Sequence, residues 1–291
     1  MRKRVIFSGV GTALITPFID TGIDFDSLRR IIDFQIEAGV DALVIAGTTG
    51  EASTLSEDER YSLYEFAKSY TAGRVPLILG TGTNDTKTAI RHTRRAAEIG
   101  ADAALVVTPY YNKGTASGVV MHYKSVAECS ELPIILYNVP SRTGVNLSID
   151  AVRELSEHEN IVAIKEASDS VDRLTELSVL SNEIALYAGN DSQTHALLAL
   201  GGMGVISVAS NIAPRAVLQI VDNFTRGDAS AALAAQRALL PLCRALFLET
   251  NPAPIKYLMS KAGFCSPEIR LPLTLPTDST RRVLCRIASE F

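Results

Sequence analysis

Two kinds of apolar pattern alternate along the chain. Short runs in which nearly every residue is apolar recur eight times: GTALITPF (11–18), ALVIAG (42–47), PLILGTG (76–82), AALVVTPY (103–110), PIILYNVP (133–140), IVAIKEAS (161–168), IALYAGND (184–191) and GVISVAS (204–210). Near-continuous hydrophobicity over so few residues is the pattern of parallel strands covered on both faces. Between the runs, apolar residues return at helical spacing. Leu28, Ile31, Ile32 and Ile36 share one helix face. Ser56 with Glu59 three residues on predicts a helix start closed by a capping box. A further helix runs from Asp85 through Ala89 and Ile90 to Ile99, and Gly100 ends it.

Eight strand–helix units in about 225 residues predict an α/β protein of the (β/α)8, or TIM, barrel type. A doubly wound open sheet is the competing pattern, but no dinucleotide fingerprint follows the first strand. Gly9-x-Gly11 lacks its third glycine, and Gly80-x-Gly82 meets Asp85 where the third would stand. The remaining residues read as helices at 228–249, 252–262 and 277–290. The expected organisation is a barrel over 1–226 carrying the active site and a C-terminal α-helical region over 227–291, with no linker between them.

Composition narrows the function classes. Of 291 residues, 47% are hydrophobic and 21% charged, as in soluble globular proteins. A net charge of −4 leaves no basic footprint for nucleic acid. Arg2, Lys3 and Arg4 are not followed by the apolar stretch of a signal peptide. The apolar segment from Ala231 to Leu248 is broken by Gln236, Arg237, Pro241 and Arg244, which makes it a packed helix rather than a membrane span. Cys129, Cys243, Cys265 and Cys285 are far apart, with no CxxC. They are expected to be reduced and mostly buried. His92, His122, His158 and His195 are equally scattered and read as ordinary helix or surface residues. No metal and no cofactor is expected, and the location expected is cytoplasmic.

In a barrel of this type, chemistry gathers at the carboxyl ends of the strands. The polar residues there are Thr48, Thr49 and Glu51 after the second run, and Tyr110 and Tyr111 after the fourth. Tyr137, Asn138 and Arg142 follow the fifth, Lys165 and Glu166 end the sixth, and Gly189, Asn190 and Asp191 close the seventh. Lys165 is the unusual one, because lysine is rarely buried without a partner. If it points into the tube, burial disfavours the ammonium form, and a neutral amine attacks carbonyl carbon to give a Schiff base. The plainer alternative is a rim salt bridge to Glu166 or Asp169. Tyr137 can serve as a proton shuttle or merely as a packed aromatic. Thr48-Thr49-Gly50 can hold a small carboxylate through backbone N–H groups and hydroxyls, or form a local cap. Arg142 suits a second carboxylate, or a surface ion pair. What favours chemistry is that all of these meet at one rim.

GTTGE, TPYYNK, YNVPSRTG and IKEAS, in this order, resemble the dihydrodipicolinate synthase family of the N-acetylneuraminate lyase superfamily. The similarity extends through GVISVASN (204–211), NPAPIK (251–256) and RLPLTLPTD (270–278). The resemblance implies a class I aldolase that joins pyruvate to L-aspartate 4-semialdehyde, yielding the cyclic precursor of diaminopimelate and lysine. It implies Lys165 as the Schiff-base residue and Tyr137 as the central acid/base, with Thr48 and Tyr111 completing a proton relay. Tyr111 would reach in from a neighbouring subunit of a homotetramer built from tight dimers. Thr48 and Thr49 would bind the pyruvate carboxylate, Gly189 and Ile206 would line its pocket, and Arg142 would take the carboxylate of the semialdehyde. Glu166 is given a structural role. The competing readings are a related pyruvate aldolase acting on N-acetylneuraminate or sugar-derived 2-oxo acids, and a non-catalytic ligand binder.

One departure bears on regulation. Lysine-inhibited members of the family hold the effector at a dimer-interface pocket. This chain keeps Asn84 and Tyr110 there, but has Glu57 and Arg60 in place of histidines and Thr88 in place of a glutamate. A cationic effector loses its best partner and meets a like charge at Arg60. Titration of activity with L-lysine to millimolar concentrations is therefore expected to show weak or no inhibition, and potent inhibition would contradict this reading.

Overall fold

A computed structural model describes residues 3–20 and 22–291. Eight parallel strands close into a ring: β1 (Gly9–Ala13), β2 (Ala42–Ile45), β3 (Leu77–Gly80), β4 (Ala103–Val107), β5 (Ile134–Asn138), β6 (Ile161–Glu166), β7 (Ala185–Ala188) and β8 (Gly204–Ser207). Closure is made by β1, which pairs with β2 on one side and β8 on the other. The fold class is the one read from the sequence. The helices that follow the strands are α1 (Phe25–Ala38), α2 (Glu57–Thr71), α3 (Thr86–Ile99), α4 (Ala116–Ala127), α5 (Ile149–Ser156), α6 (Val171–Ser178), α7 (Thr194–Ala199) and α8 (Pro214–Thr225). The predicted caps are present: Ser56 and Glu59 form the reciprocal capping box of α2, and Asp85 and the left-handed Gly100 bracket α3.

Side chains alternate between two apolar layers. Leu43, Ile45 and Leu79 face the helices, where a continuous shell also takes in Leu28, Ile31 and Ile32 of α1. Ala42, Val44, Ile78 and Leu105 fill the barrel interior. Phe7 stacks on Tyr187 and closes the amino end of the barrel. The first apolar run is only partly strand. β1 stops at Ala13, because Asn211 takes the next backbone groups: its amide donates to Ala13 O and accepts from Ile15 N. Pro17 has no N–H for a ladder, and Phe18–Ile19 turns into a short hairpin with Gly22–Ile23.

The β5–β6 pair carries one irregularity. Ile134 pairs with Ile161 but Ile135 pairs with Ala163, so β6 has an extra residue, Val162. Val162 and Ala163 both belong to the interior layer, and the alternation is shifted by one beyond them. Ile164 then faces the helices and Lys165 lies level with Tyr137. An extra residue re-aims every side chain that follows it.

The C-terminal region holds the three expected helices, α9 (Ala229–Ala245), α10 (Ala253–Lys261) and α11 (Asp278–Ala288), somewhat shorter than the pattern suggested. Among the described residues, no helix is long and apolar enough to cross a membrane. All four cysteines are free thiols, but only Cys243 is buried; Cys129 and Cys265 are half-buried and Cys285 is exposed. The expectation of mostly buried thiols therefore holds for one of them. His92 and His122 lie on α3 and α4 and are buried.

Gly80 shows how tightly the ring is drawn. A Cβ there would lie 2.1 Å from Ala46 O. The same residue's carbonyl accepts from Tyr64 Oη at 2.5 Å and from the Arg60 guanidinium at 3.1 Å. Gly80→Ala should cost roughly 3 kcal/mol of unfolding free energy, read from the denaturant midpoint. An unchanged midpoint would show that the backbone yields there at no cost.

Candidate active site

A cavity of about 800 Å³ opens at the carboxyl ends of the strands, with Lys165, Tyr137, Thr48, Thr49, Arg142 and Gly189 on its wall. Lys165 is 4% exposed, yet it makes no ion pair and no hydrogen bond among the described residues. Its Nζ stands 4.3 Å from the centroid of the Tyr137 ring. The shifted register of β6 places the two side chains there together. Glu166, the next residue, points the other way. Its carboxylate accepts from Arg173 Nε of α6 at 2.8 Å, from the Asn138 amide and from Ser168 N. The rim salt bridge between Lys165 and Glu166 is thus ruled out by the alternation of the strand.

The Thr48–Glu51 turn is held by hydrogen bonds from several directions. Gly50 N and Ala52 N donate to Gly47 O, and Thr16 Oγ1 donates to Gly50 O at 2.7 Å. Thr49 Oγ1 accepts from the Asn251 amide at 3.0 Å. A residue preceding α10 thereby reaches the carboxylate-binding candidate. Arg142 lies in a short turn, Pro140–Thr143, after β5, and one guanidinium N–H donates to Asn251 O at 2.9 Å. That leaves the rest of its planar donor set for a ligand. Gly189 is packed against β6 so closely that a Cβ would meet Ala167 Cβ at 2.5 Å, and its N donates to Glu166 O.

Two candidates sit apart from this group. Ile206 lies in the barrel interior with Tyr137 and Tyr187 rather than on the cavity wall. Tyr111 is 88% exposed, with a left-handed backbone, and does not line the cavity of its own chain. Among the described residues, no hydrogen bond joins Thr48, Tyr137 and Tyr111.

Several residues of the site were not assigned from the sequence. Asp191 is fully buried; its carboxylate accepts from Ser207 Oγ and from Val208 N and Ala209 N, while burial pushes its pKa upward. Leu240, Cys243 and Arg244 bring α9 onto the cavity wall, so the C-terminal region completes the site as well as packing on the barrel. Asn251 stands in the sequence only as the first residue of NPAPIK, and its role depends on a contact 202 residues away in sequence. Among the described residues, no group of three or more His, Cys, Asp or Glu could hold a metal ion.

A second cavity of about 470 Å³ shares Thr48, Tyr137 and Arg142 with the first and extends to Arg60, Thr88 and Tyr110. The Arg60 guanidinium is buried and already donates to Ala52 O and Gly80 O. Glu57 pairs with Arg91.

A buried, unpaired lysine facing an apolar barrel lumen, over a tyrosine ring and beside hydroxyl and guanidinium donors, defines a Schiff-base aldolase on a (β/α)8 barrel. The chain belongs to the dihydrodipicolinate synthetase family, whose model matches residues 6–290. It is 45% identical over 287 residues to the 4-hydroxy-tetrahydrodipicolinate synthase of Caldicellulosiruptor bescii, covering 98% of this chain and 97% of that protein. The dihydrodipicolinate synthase of Thermotoga maritima superposes with a TM-score of 0.96 at 40% identity, covering 98% of this chain and 99% of that one. The chloride-inhibited dihydrodipicolinate synthase of Acinetobacter baumannii, solved in complex with pyruvate, superposes at 0.95 with 41% identity over the same shares.

Two histidines beside this region make stability depend on pH. Burial holds His92 at about 4, with the Arg60 cation adding to the effect, and burial likewise holds His122 at about 4. Their folded values lie below the unfolded value near 6.5, so the unfolded chain binds more protons between those limits. Stability should be undiminished by them above pH 6.5 and fall as pH drops from 6.5 toward 4. Urea midpoints across that window would show the slope, and replacing both residues by glutamine should flatten it. An unaltered slope in the double variant would assign the effect elsewhere.

Proposed function

We propose that this chain condenses pyruvate with L-aspartate 4-semialdehyde to 4-hydroxy-tetrahydrodipicolinate, as the synthases it resembles are named for doing. The observation that carries the reading is the Lys165 amine, buried, unpaired and 4.3 Å from the Tyr137 ring centre. Lys165 Nζ attacks C2 of pyruvate, and loss of water leaves a protonated Schiff base. That group withdraws electrons, so a C3 proton departs and an enamine forms. Enamine C3 then bonds to the aldehyde carbon of the second substrate, whose oxygen takes a proton. Attack of the substrate's own amine on C2 expels Lys165 and closes a six-membered ring.

Tyr137 carries protons to and from the carbinolamine and the new alkoxide. Thr48 and Thr49 hold the pyruvate carboxylate with hydroxyl and backbone donors, in a pocket walled by Gly189, with Ile206 packed in the barrel interior rather than on its wall. Arg142 takes the second carboxylate. Tyr111 acts in a neighbouring copy, which accounts for its exposure here and makes a tight dimer part of the site. The assembly we infer is a homotetramer of two such dimers, and the location cytoplasmic.

A panel of aldehydes assayed with pyruvate tests the reading. Turnover should be fastest with L-aspartate 4-semialdehyde, followed by coupling to reduction of the cyclic product. Preference for N-acetylmannosamine or a sugar-derived aldehyde would overturn it. Arg142→Ala should still form the pyruvate adduct and lose about 100-fold or more in condensation, since a charge-assisted bidentate contact is removed. Full condensation in that variant would misplace the second carboxylate.

A further inference from the structure

The C-terminal region holds a second buried lysine that the reaction does not use. Lys256 of α10 has no exposed surface, and its Nζ lies 2.5 Å from Glu51 Oε1 and 4.0 Å from the centre of the Phe18 ring. Glu51 is buried as well, and its other carboxylate oxygen accepts from Arg270 N at 3.0 Å. The Glu51 backbone is left-handed, at φ 54°, and the residue directly follows Thr48-Thr49-Gly50. A non-glycine residue holds that conformation only where its surroundings enforce it.

We infer that the Lys256–Glu51 pair is a positioning device for pyruvate: it clamps the turn whose hydroxyls and N–H groups receive the pyruvate carboxylate. This rests on the Schiff-base reading above and adds to it the element that fixes the first substrate. The clamp has two points. Lys256 holds Glu51 at the end of the turn, and Asn251, on the same segment, holds Thr49. Phe18 closes one side of the ammonium, so water does not replace the carboxylate cheaply. With the turn fixed, carboxylate donors are aligned before pyruvate arrives and little ordering remains for binding. Arg142 belongs to a separate turn and touches Asn251 only through a carbonyl, so the second substrate's carboxylate lies outside this clamp.

The test uses Glu51→Gln and the double variant Glu51→Gln/Lys256→Met in the full chain. The double change removes both charges at similar volume, which avoids stranding a buried ammonium. The readout is the pyruvate concentration giving half-maximal borohydride-trapped adduct, measured without any aldehyde, so that it stands apart from the identity of the second substrate. It should rise about tenfold in the double variant. KM for the aldehyde should change less than about twofold, and kcat at saturating pyruvate by less than about threefold. Equal rises in both constants, or an unchanged pyruvate requirement in a folded variant, would overturn the proposal. If neither variant folds, hydrogen exchange of the wild-type chain decides. Trapped pyruvate should protect the backbone amides of 49–52 and 253–256 together, and protection confined to the first segment would count against the clamp.

Discussion

One bulge in one strand sets the direction of the Lys165 amine. Val162 and Ala163 both face the lumen where β6 slips against β5, and strict alternation of the same residues from Ile161, without that bulge, would turn Lys165 toward the helices and Glu166 into the lumen. With it, Lys165 stands level with Tyr137 on the inside, and Glu166 meets Arg173 and Asn138 on the outside. The register is held by the apolar layers on both faces of the sheet, which a slip would exchange. The chemistry at the rim is therefore decided three residues earlier, within the barrel wall.

The two buried lysines divide structural from chemical use of one side-chain type. Lys256 is enclosed with a carboxylate and sits over Phe18; its charge is matched, and it fixes backbone. Lys165 has no such partner and opens on a cavity. An amine tied to a carboxylate is committed to that contact, whereas one without a partner, beside a phenol, is free to meet a ketone with a proton carrier at hand. The C-terminal region serves both sites. α9 supplies cavity wall through Leu240, Cys243 and Arg244, while Asn251 and Lys256 reach the Thr48–Glu51 turn.

Much of this was legible in the sequence because it is local. Continuous apolar runs marked the strands, the capping residues marked α2 and α3, and polar residues at run ends marked the rim. Six of the eight site candidates do meet around one cavity. What escaped is long-range. The end of β1 is set by Asn211, almost 200 residues on, so GTALITPF looked like a longer strand than it is. The insertion at Val162 leaves no mark in composition, since IVAI reads the same in either register. Asn251 and Lys256 resemble an ordinary helix start until the fold brings them to Thr49 and Glu51. Tyr111 could be assigned only through resemblance, since within one chain it faces outward.

The most direct test of the account is peptide mapping of the protein after reduction with borohydride in the presence of pyruvate. The pyruvate-derived mass should be found on the peptide carrying Lys165 and on no other, with Lys256 unmodified. Label on Lys256, or a folded protein that takes up none, would contradict the assignment of the unpaired amine as the nucleophile.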